Sequence, residues 1–144
     1  PTRILTAEVS GIAPAIVTSL ELGVPMVYAR KKKPVTMYGP VFLETAPTRT
    51  KGGGEVSLLV SAEYLKPDDR VLIIDDFLAS GKTLQALARI VRGAEATLVG
   101  IAAIIEKEFE GGRAYLEERY EAPIFSLVRI AAMEDGRIDV TPGN

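Results

Sequence analysis

Four consecutive apolar residues, Val71, Leu72, Ile73 and Ile74, run straight into two adjacent aspartates, Asp75 and Asp76, and then into the small-residue turn Ala79-Ser80-Gly81 followed by Lys82 and Thr83. A continuous apolar run marks a strand covered on both faces, an arrangement found almost only in parallel sheets flanked by helices. The chain is thereby constrained to an α/β architecture. Ligands of open α/β sheets bind outside the carboxyl ends of the strands, so Asp75 and Asp76 are expected at the mouth of a site and not in the core. Ala79, Ser80 and Gly81 are small enough to let backbone N–H groups close on an anion, and Thr83 adds a hydroxyl as the chain enters a helix over Leu84–Val91. Two carboxylates for ribose hydroxyls beside a turn for a phosphate suit a phosphorylated sugar.

The rest of the chain alternates between apolar runs and helical periodicity. Ile4–Ala7 reads as a strand, Ile12–Leu22 as a helix with Pro14 in its first turn and Gly23 at its close, and Val24–Ala29 as a second strand with Pro25 near its start. The basic cluster Arg30, Lys31, Lys32 and Lys33 follows. Between Tyr38 and Glu55, Gly39, Pro40, Pro47 and the triplet Gly52-Gly53-Gly54 interrupt regular structure, and Glu55–Ser61 returns as a strand, so the segment reads as a long flap of two strands. Thr97–Ile105 is a further apolar strand, Gly111–Tyr120 a short helix, and Ile124–Ile130 a last core strand. A polar tail over Ala131–Val140 carries the hairpin-like turn Asp135-Gly136. Strand–helix alternation of this kind gives a mostly parallel sheet with helices on both faces.

Composition narrows the function. At 144 residues the chain suits one domain, 1–144, with a real core, and a net charge of -2 argues against nucleic acid as the main partner. The chain has no Cys and no His, which removes disulfides, thiolate metal sites, His-based triads and imidazole ligands. No stretch approaches a membrane span and the start carries no secretory signal, so a cytoplasmic protein is expected. Pro1 runs straight into a strand without an initiator Met, which leaves the natural N-terminus to lie further upstream.

Gly81-Lys82-Thr83 spells the end of a nucleotide P-loop. That pattern also requires Gly five positions before Gly81, where this chain has Asp76. A kinase-type loop is therefore excluded. With its apolar strand, two acids, small-residue turn and Thr, the chain instead resembles the type I phosphoribosyltransferases, and most of all their xanthine-type members. The more specific likeness lies in E-V-S-G-I-A-P at Glu8–Pro14, Y-A-R-K-K-K at Tyr28–Lys33, T-R-T-K at Thr48–Lys51, D-D-F-L-A-S-G at Asp75–Gly81 and I-E-K-E-F-E-G-G-R at Ile105–Arg113.

The resemblance implies transfer of a 5-phosphoribosyl group from phosphoribosyl diphosphate to xanthine, releasing pyrophosphate, as in purine salvage. It implies that Asp75 and Asp76 act electrostatically at the ribosyl ring, that Ala79, Ser80, Gly81, Lys82 and Thr83 hold the ribose 5-phosphate, and that Val9, Ser10 and Gly11 with Arg30 and Lys31 hold the pyrophosphate. Lys107 takes the position that meets the purine's carbonyl edge. Thr48, Arg49 and Lys51 of the flap are placed nearest the substrate, Mg²⁺ is carried mainly by the substrate's own oxygens, and the assembly is a homodimer with neither nucleic acid nor membrane as partner. Xanthine-type members add an N-terminal hood over the base, which this sequence is expected to lack. The alternative on the same fold is a purine-repressor effector domain that senses phosphoribosyl diphosphate without turning it over.

Overall fold

The computed structural model describes residues 1–48 and 53–144. Its core is a six-stranded sheet of β1 (Arg3–Ala7), β2 (Met26–Ala29), β5 (Arg70–Leu78), β6 (Thr97–Lys107), β7 (Ile124–Glu134) and β8 (Arg137–Pro142), in the order β2-β1-β5-β6-β7-β8. The first five are parallel, with Leu5 opposite Val27 on one side and Ile73 on the other. Helix α1 (Ile12–Leu22) packs Ala15 against Ile4 and Ile74 on one face. On the other face α2 (Lys82–Gly93) buries Leu84, Leu87 and Val91 over Leu5 and Ile73, and α3 (Gly112–Glu117) adds Leu116 to the same cluster. The expected two-faced α/β sheet is therefore present.

Three expectations change in detail, and the two-stranded flap holds. Val24 and Pro25 lie outside β2, because the Val24 N–H closes the end of α1 on the Ser19 carbonyl while Pro25 gives only its carbonyl, to the Ile4 N–H. The flap is two-stranded as expected: β3 (Val41–Pro47) pairs antiparallel with β4 (Glu55–Ser61). Strand β5 does not stop at Ile74 but carries both aspartates and runs to Leu78, since β6 continues alongside it as far as Glu106. The polar tail is the sheet's edge: β8 pairs antiparallel with β7 through the Asp135-Gly136 turn, whose φ angles of 50° and 75° suit a tight hairpin.

The two sheets are tied together at two points. Arg30, directly after β2, exchanges both backbone hydrogen bonds with Leu59 of β4 at 2.8 Å each. Arg89 of α2 donates to the Glu44 carboxylate at 2.8 Å and to the Thr45 carbonyl at 2.9 Å in β3. The flap hairpin thus stands on α2, the helix that opens at the small-residue turn. Among the described residues no helix is long and apolar enough to cross a membrane.

Candidate active site

Strand order reverses at β1: the chain moves outward to β2, then returns to place β5 on β1's other side. Such a switch point opens a crevice at the carboxyl ends of the strands, because the following loops diverge to opposite faces. The loop Glu8–Gly11 after β1 and the segment Asp75–Thr83 after β5 meet there. A cavity of about 940 Å³ lies between them, lined by Ser10, Lys31, Asp75, Asp76 and the whole turn Ala79–Thr83, and walled on the flap side by Pro47, Thr48, Val56 and Leu58. The structure thus brings together ten of the residues singled out from the sequence, Thr48 among them. Val9, Gly11, Arg30 and Lys107 are not in this lining. Arg49 and Lys51 lie outside the described residues.

Asp75 corrects the expectation that both acids stand at the mouth. Its carboxylate is only 8% exposed, and burial, followed by the neighbouring Asp76, pushes its pKa up to about 7. Gly11 explains how it is covered: a Cβ there would sit 2.6 Å from Asp75 Oδ1 and 2.3 Å from Thr6 Oγ1, so only glycine lets the loop settle this low. The Thr6 hydroxyl is itself buried and without a hydrogen-bond partner. Asp76 remains partly open to the cavity, and its backbone N–H donates to Asp75 Oδ1 at 3.0 Å.

The anion turn follows from backbone conformation. Gly81 caps α2 at φ 77°, a left-handed geometry that an L side chain adopts only with strain. It aims the first turn of α2, whose leading N–H groups have no partner within the helix, toward the cavity. Lys82 lines the cavity with its ammonium 3.7 Å from the centre of the Tyr115 ring; the cation holds the phenol below its usual pKa, and the Tyr115 hydroxyl donates to Gln85 at 2.5 Å.

Across the crevice, the Lys31 backbone N–H donates to Glu8 at 2.6 Å. Glu8 is a positioning group whose role was hidden in the sequence, because its partner lies 23 residues on. Arg30 turns its guanidinium toward the Tyr28 ring at 5.8 Å and leaves its Nε buried without a hydrogen-bond partner. Lys107 ends β6 beside the cavity: its Nζ lies 3.8 Å from Glu110 and 5.3 Å from the Phe77 ring centre, and both partners line the cavity. Among the described residues no group of three or more His, Cys, Asp or Glu side chains is placed to hold a metal ion.

A crevice at the carboxyl ends of parallel strands, with a covered acid, a small-residue turn on one side and a second loop opposite, is the arrangement of an α/β ligand-binding domain. The model of the phosphoribosyl transferase domain family matches residues 1–129, and the chain belongs to that family. It is 57% identical over 136 residues to the xanthine phosphoribosyltransferase of Deinococcus deserti, covering 94% of this chain and 69% of that protein. The xanthine phosphoribosyltransferase of Pseudomonas fluorescens is 46% identical over 135 residues, with 94% and 70% covered. Among solved structures, the APRTase of Giardia lamblia complexed with 9-deazaadenine superposes with a TM-score of 0.77 at 26% identity, covering 91% of this chain and 71% of that one. The adenine phosphoribosyltransferase of Thermoanaerobacter pseudethanolicus gives 0.76 at 27% identity, with 88% and 69% covered.

Proposed function

We propose that the chain, read as one phosphoribosyltransferase domain over residues 1–144, moves a 5-phosphoribosyl group from phosphoribosyl diphosphate to N9 of xanthine. The observation that carries this reading is the pairing, around one cavity, of the Asp75–Thr83 segment with the Ser10 and Lys31 side of the crevice. The choice of xanthine among purines rests on the similarity to xanthine phosphoribosyltransferases at up to 57% identity.

The turn Ala79–Thr83 takes the 5-phosphate through its backbone N–H groups, the Thr83 hydroxyl and the positive end of α2. Ser10, Lys31 and the backbone of Val9 and Gly11 face the leaving diphosphate, with Arg30 behind them. As the bond to diphosphate lengthens, the ribosyl ring gains positive charge. Asp75 and Asp76, as carboxylates, favour that charge electrostatically without acting as nucleophiles. Mg²⁺ would come with the substrate and offset the negative charge of the leaving diphosphate. The β3–β4 wall excludes water from a ring that water would otherwise capture. Lys107 directs an ammonium at a purine carbonyl edge. A cytoplasmic homodimer is the assembly expected with this activity, and light scattering of the purified chain checks it.

Pyrophosphate release measured in parallel with xanthine, guanine, hypoxanthine and adenine tests the reading. Fastest release with xanthine supports it. Tight binding of phosphoribosyl diphosphate with no release for any base would replace it with a sensing domain.

A further inference from the structure

Glu106 stands one residue before Lys107, at the end of β6, and is 3% exposed. Arg113 of α3 grips it with a two-pronged fork, Nε to Oε1 at 2.8 Å and Nη2 to Oε2 at 2.6 Å, and the Ser126 hydroxyl donates to Oε2 at 2.7 Å. The same guanidinium donates through Nη1 to the Ile124 carbonyl at 2.8 Å. One residue therefore joins β6, β7 and α3. A buried ion pair is a poor stabiliser compared with apolar packing of the same size. Its geometric effect is larger.

Gly112, the residue before Arg113, is pressed against the phosphate turn. A Cβ on Gly112 would fall 2.0 Å from the Ala79 carbonyl oxygen and 2.8 Å from the Gly81 nitrogen, and a Cβ on Gly81 would fall 3.0 Å from the Gly112 carbonyl oxygen. Backbone lies on backbone, with no side chain between to absorb a shift. On one end the pair is covalently next to Lys107, and on the other it is next to the residue that buttresses Ala79–Gly81. We infer that Glu106 and Arg113 are a positioning pair for the reaction, setting the span between the 5-phosphate cradle and the base edge. They touch no substrate. Their effect is on how well the reacting atoms are aligned, where a displacement of about 1 Å costs on the order of 100-fold in rate.

This inference rests on the phosphoribosyl-transfer reading, and the test separates the two. Gly112→Ala, Gly111→Ala and Arg113→Lys are made in the full chain, with ribose 5-phosphate affinity followed by calorimetry, KM and kcat by pyrophosphate release, and melting by circular dichroism. Gly112→Ala is expected to weaken ribose 5-phosphate binding at least about tenfold, as the new Cβ displaces Ala79. Gly111 has φ 70° but open space where a Cβ would go, so Gly111→Ala is expected to lower the melting temperature while affinity stays within about twofold. Arg113→Lys keeps the charge and loses the fork; KM for phosphoribosyl diphosphate and for xanthine should both rise by about tenfold, and kcat should fall. Lower melting with unchanged affinity and unchanged KM in both Gly112→Ala and Arg113→Lys would overturn the inference. If Arg113→Lys does not fold, the contrast between the two glycine variants decides alone. A wild-type chain that binds ribose 5-phosphate but makes no nucleotide sinks the transfer reading while the glycine contrast still tests the positioning; no binding by the wild type overturns both.

Discussion

Asp75 and Glu106 are buried carboxylates near the carboxyl ends of neighbouring parallel strands, β5 and β6, yet their surroundings drive them in opposite directions. Burial alone would raise the pKa of either. At Glu106 that effect is overcome by the Arg113 fork, the Ser126 hydroxyl and the Arg129 guanidinium 3.6 Å away, and the carboxyl is held below the usual glutamate range. At Asp75 the nearest charge is another acid, Asp76, while Lys31 helps only weakly, and the pKa climbs to about 7. The difference separates a structural charge from one that awaits a ligand. Glu106 is saturated by the protein; Asp75 is short of positive charge, which a ribosyl ring in the course of transfer would supply.

The sharpest way to break this comparison is to neutralise each acid. Asp75→Asn with Asp76→Asn should lower kcat by at least about 1,000-fold, roughly 4 kcal/mol of transition-state stabilisation, with an unchanged circular dichroism spectrum. Turnover near the wild-type level would remove both carboxylates from the mechanism. Glu106→Ala should cost stability as well as alignment, about 3–5 kcal/mol in urea unfolding, because it strands the Arg113 charge in a buried place. A loss below about 1 kcal/mol would show that Arg113 finds water or another partner.

A smaller effect separates the two by pH. Folded Asp75 keeps its proton to about pH 7, whereas the unfolded chain releases it near 3.8. The folded state therefore binds the extra proton between those values, and Asp75 makes stability fall as pH rises through that window. Glu106 has the opposite sign: its contribution is present at neutral pH and is lost as pH falls below the ordinary glutamate range. Asp75→Asn should remove the first slope, measured by urea unfolding from pH 4 to 8, and Glu106→Gln the second, measured from pH 5 downward. In kcat/KM, Asp75 should appear as an acidic limb near pH 7, with rates falling about tenfold per unit below it; a flat profile from pH 5.5 to 8 would contradict it.

Lys107→Ala should raise the KM for xanthine about tenfold and leave that for phosphoribosyl diphosphate within about twofold, as expected for one lost hydrogen bond from a charged donor. Equal losses for both substrates would count against a base-edge role. The smallest effect belongs to the flap. Arg89→Ala should cost about 0.5–1 kcal/mol in stability, since the Arg89–Glu44 pair is partly exposed, and should raise the KM for phosphoribosyl diphosphate a few-fold by loosening the β3–β4 wall. An unchanged KM would mean that the Arg30–Leu59 backbone bridge holds the flap by itself.

Much of this molecule is legible along the chain because its signals are local. The apolar run Val71–Ile74, the small turn Ala79–Gly81 and the periodicity of Leu84, Leu87, Ala88 and Val91 each report on a few neighbouring residues, and they predict the sheet, the phosphate side of the site and α2. The Asp135-Gly136 turn was equally readable. Its return strand β8 is less so: Ile138 and Val140 alternate with Arg137, Asp139 and Thr141, but the run is short and every residue in it is exposed, so no buried face goes with the alternation. The two-stranded flap is legible from the returning run Glu55–Ser61, whereas the bounds of its first strand, Val41–Pro47, declare themselves only through that partner.

The amino-acid order by itself determined which residues can serve the chemistry: two adjacent acids after a buried strand, an anion turn after them, a lysine ending the next strand, and no histidine or cysteine to offer another mechanism. Only the tertiary structure decided what each charge does. Glu106 and Arg113 carry no role in the sequence beyond their place in the Ile105–Arg113 likeness until α3 folds back across β6 and β7, and Asp75 reads as an open strand-end acid until Gly11, 64 residues earlier, settles over it. A side chain's identity is set where it is written, but its ionisation depends on the charges and solvent that folding brings within a few ångströms, and those come from distant parts of the chain.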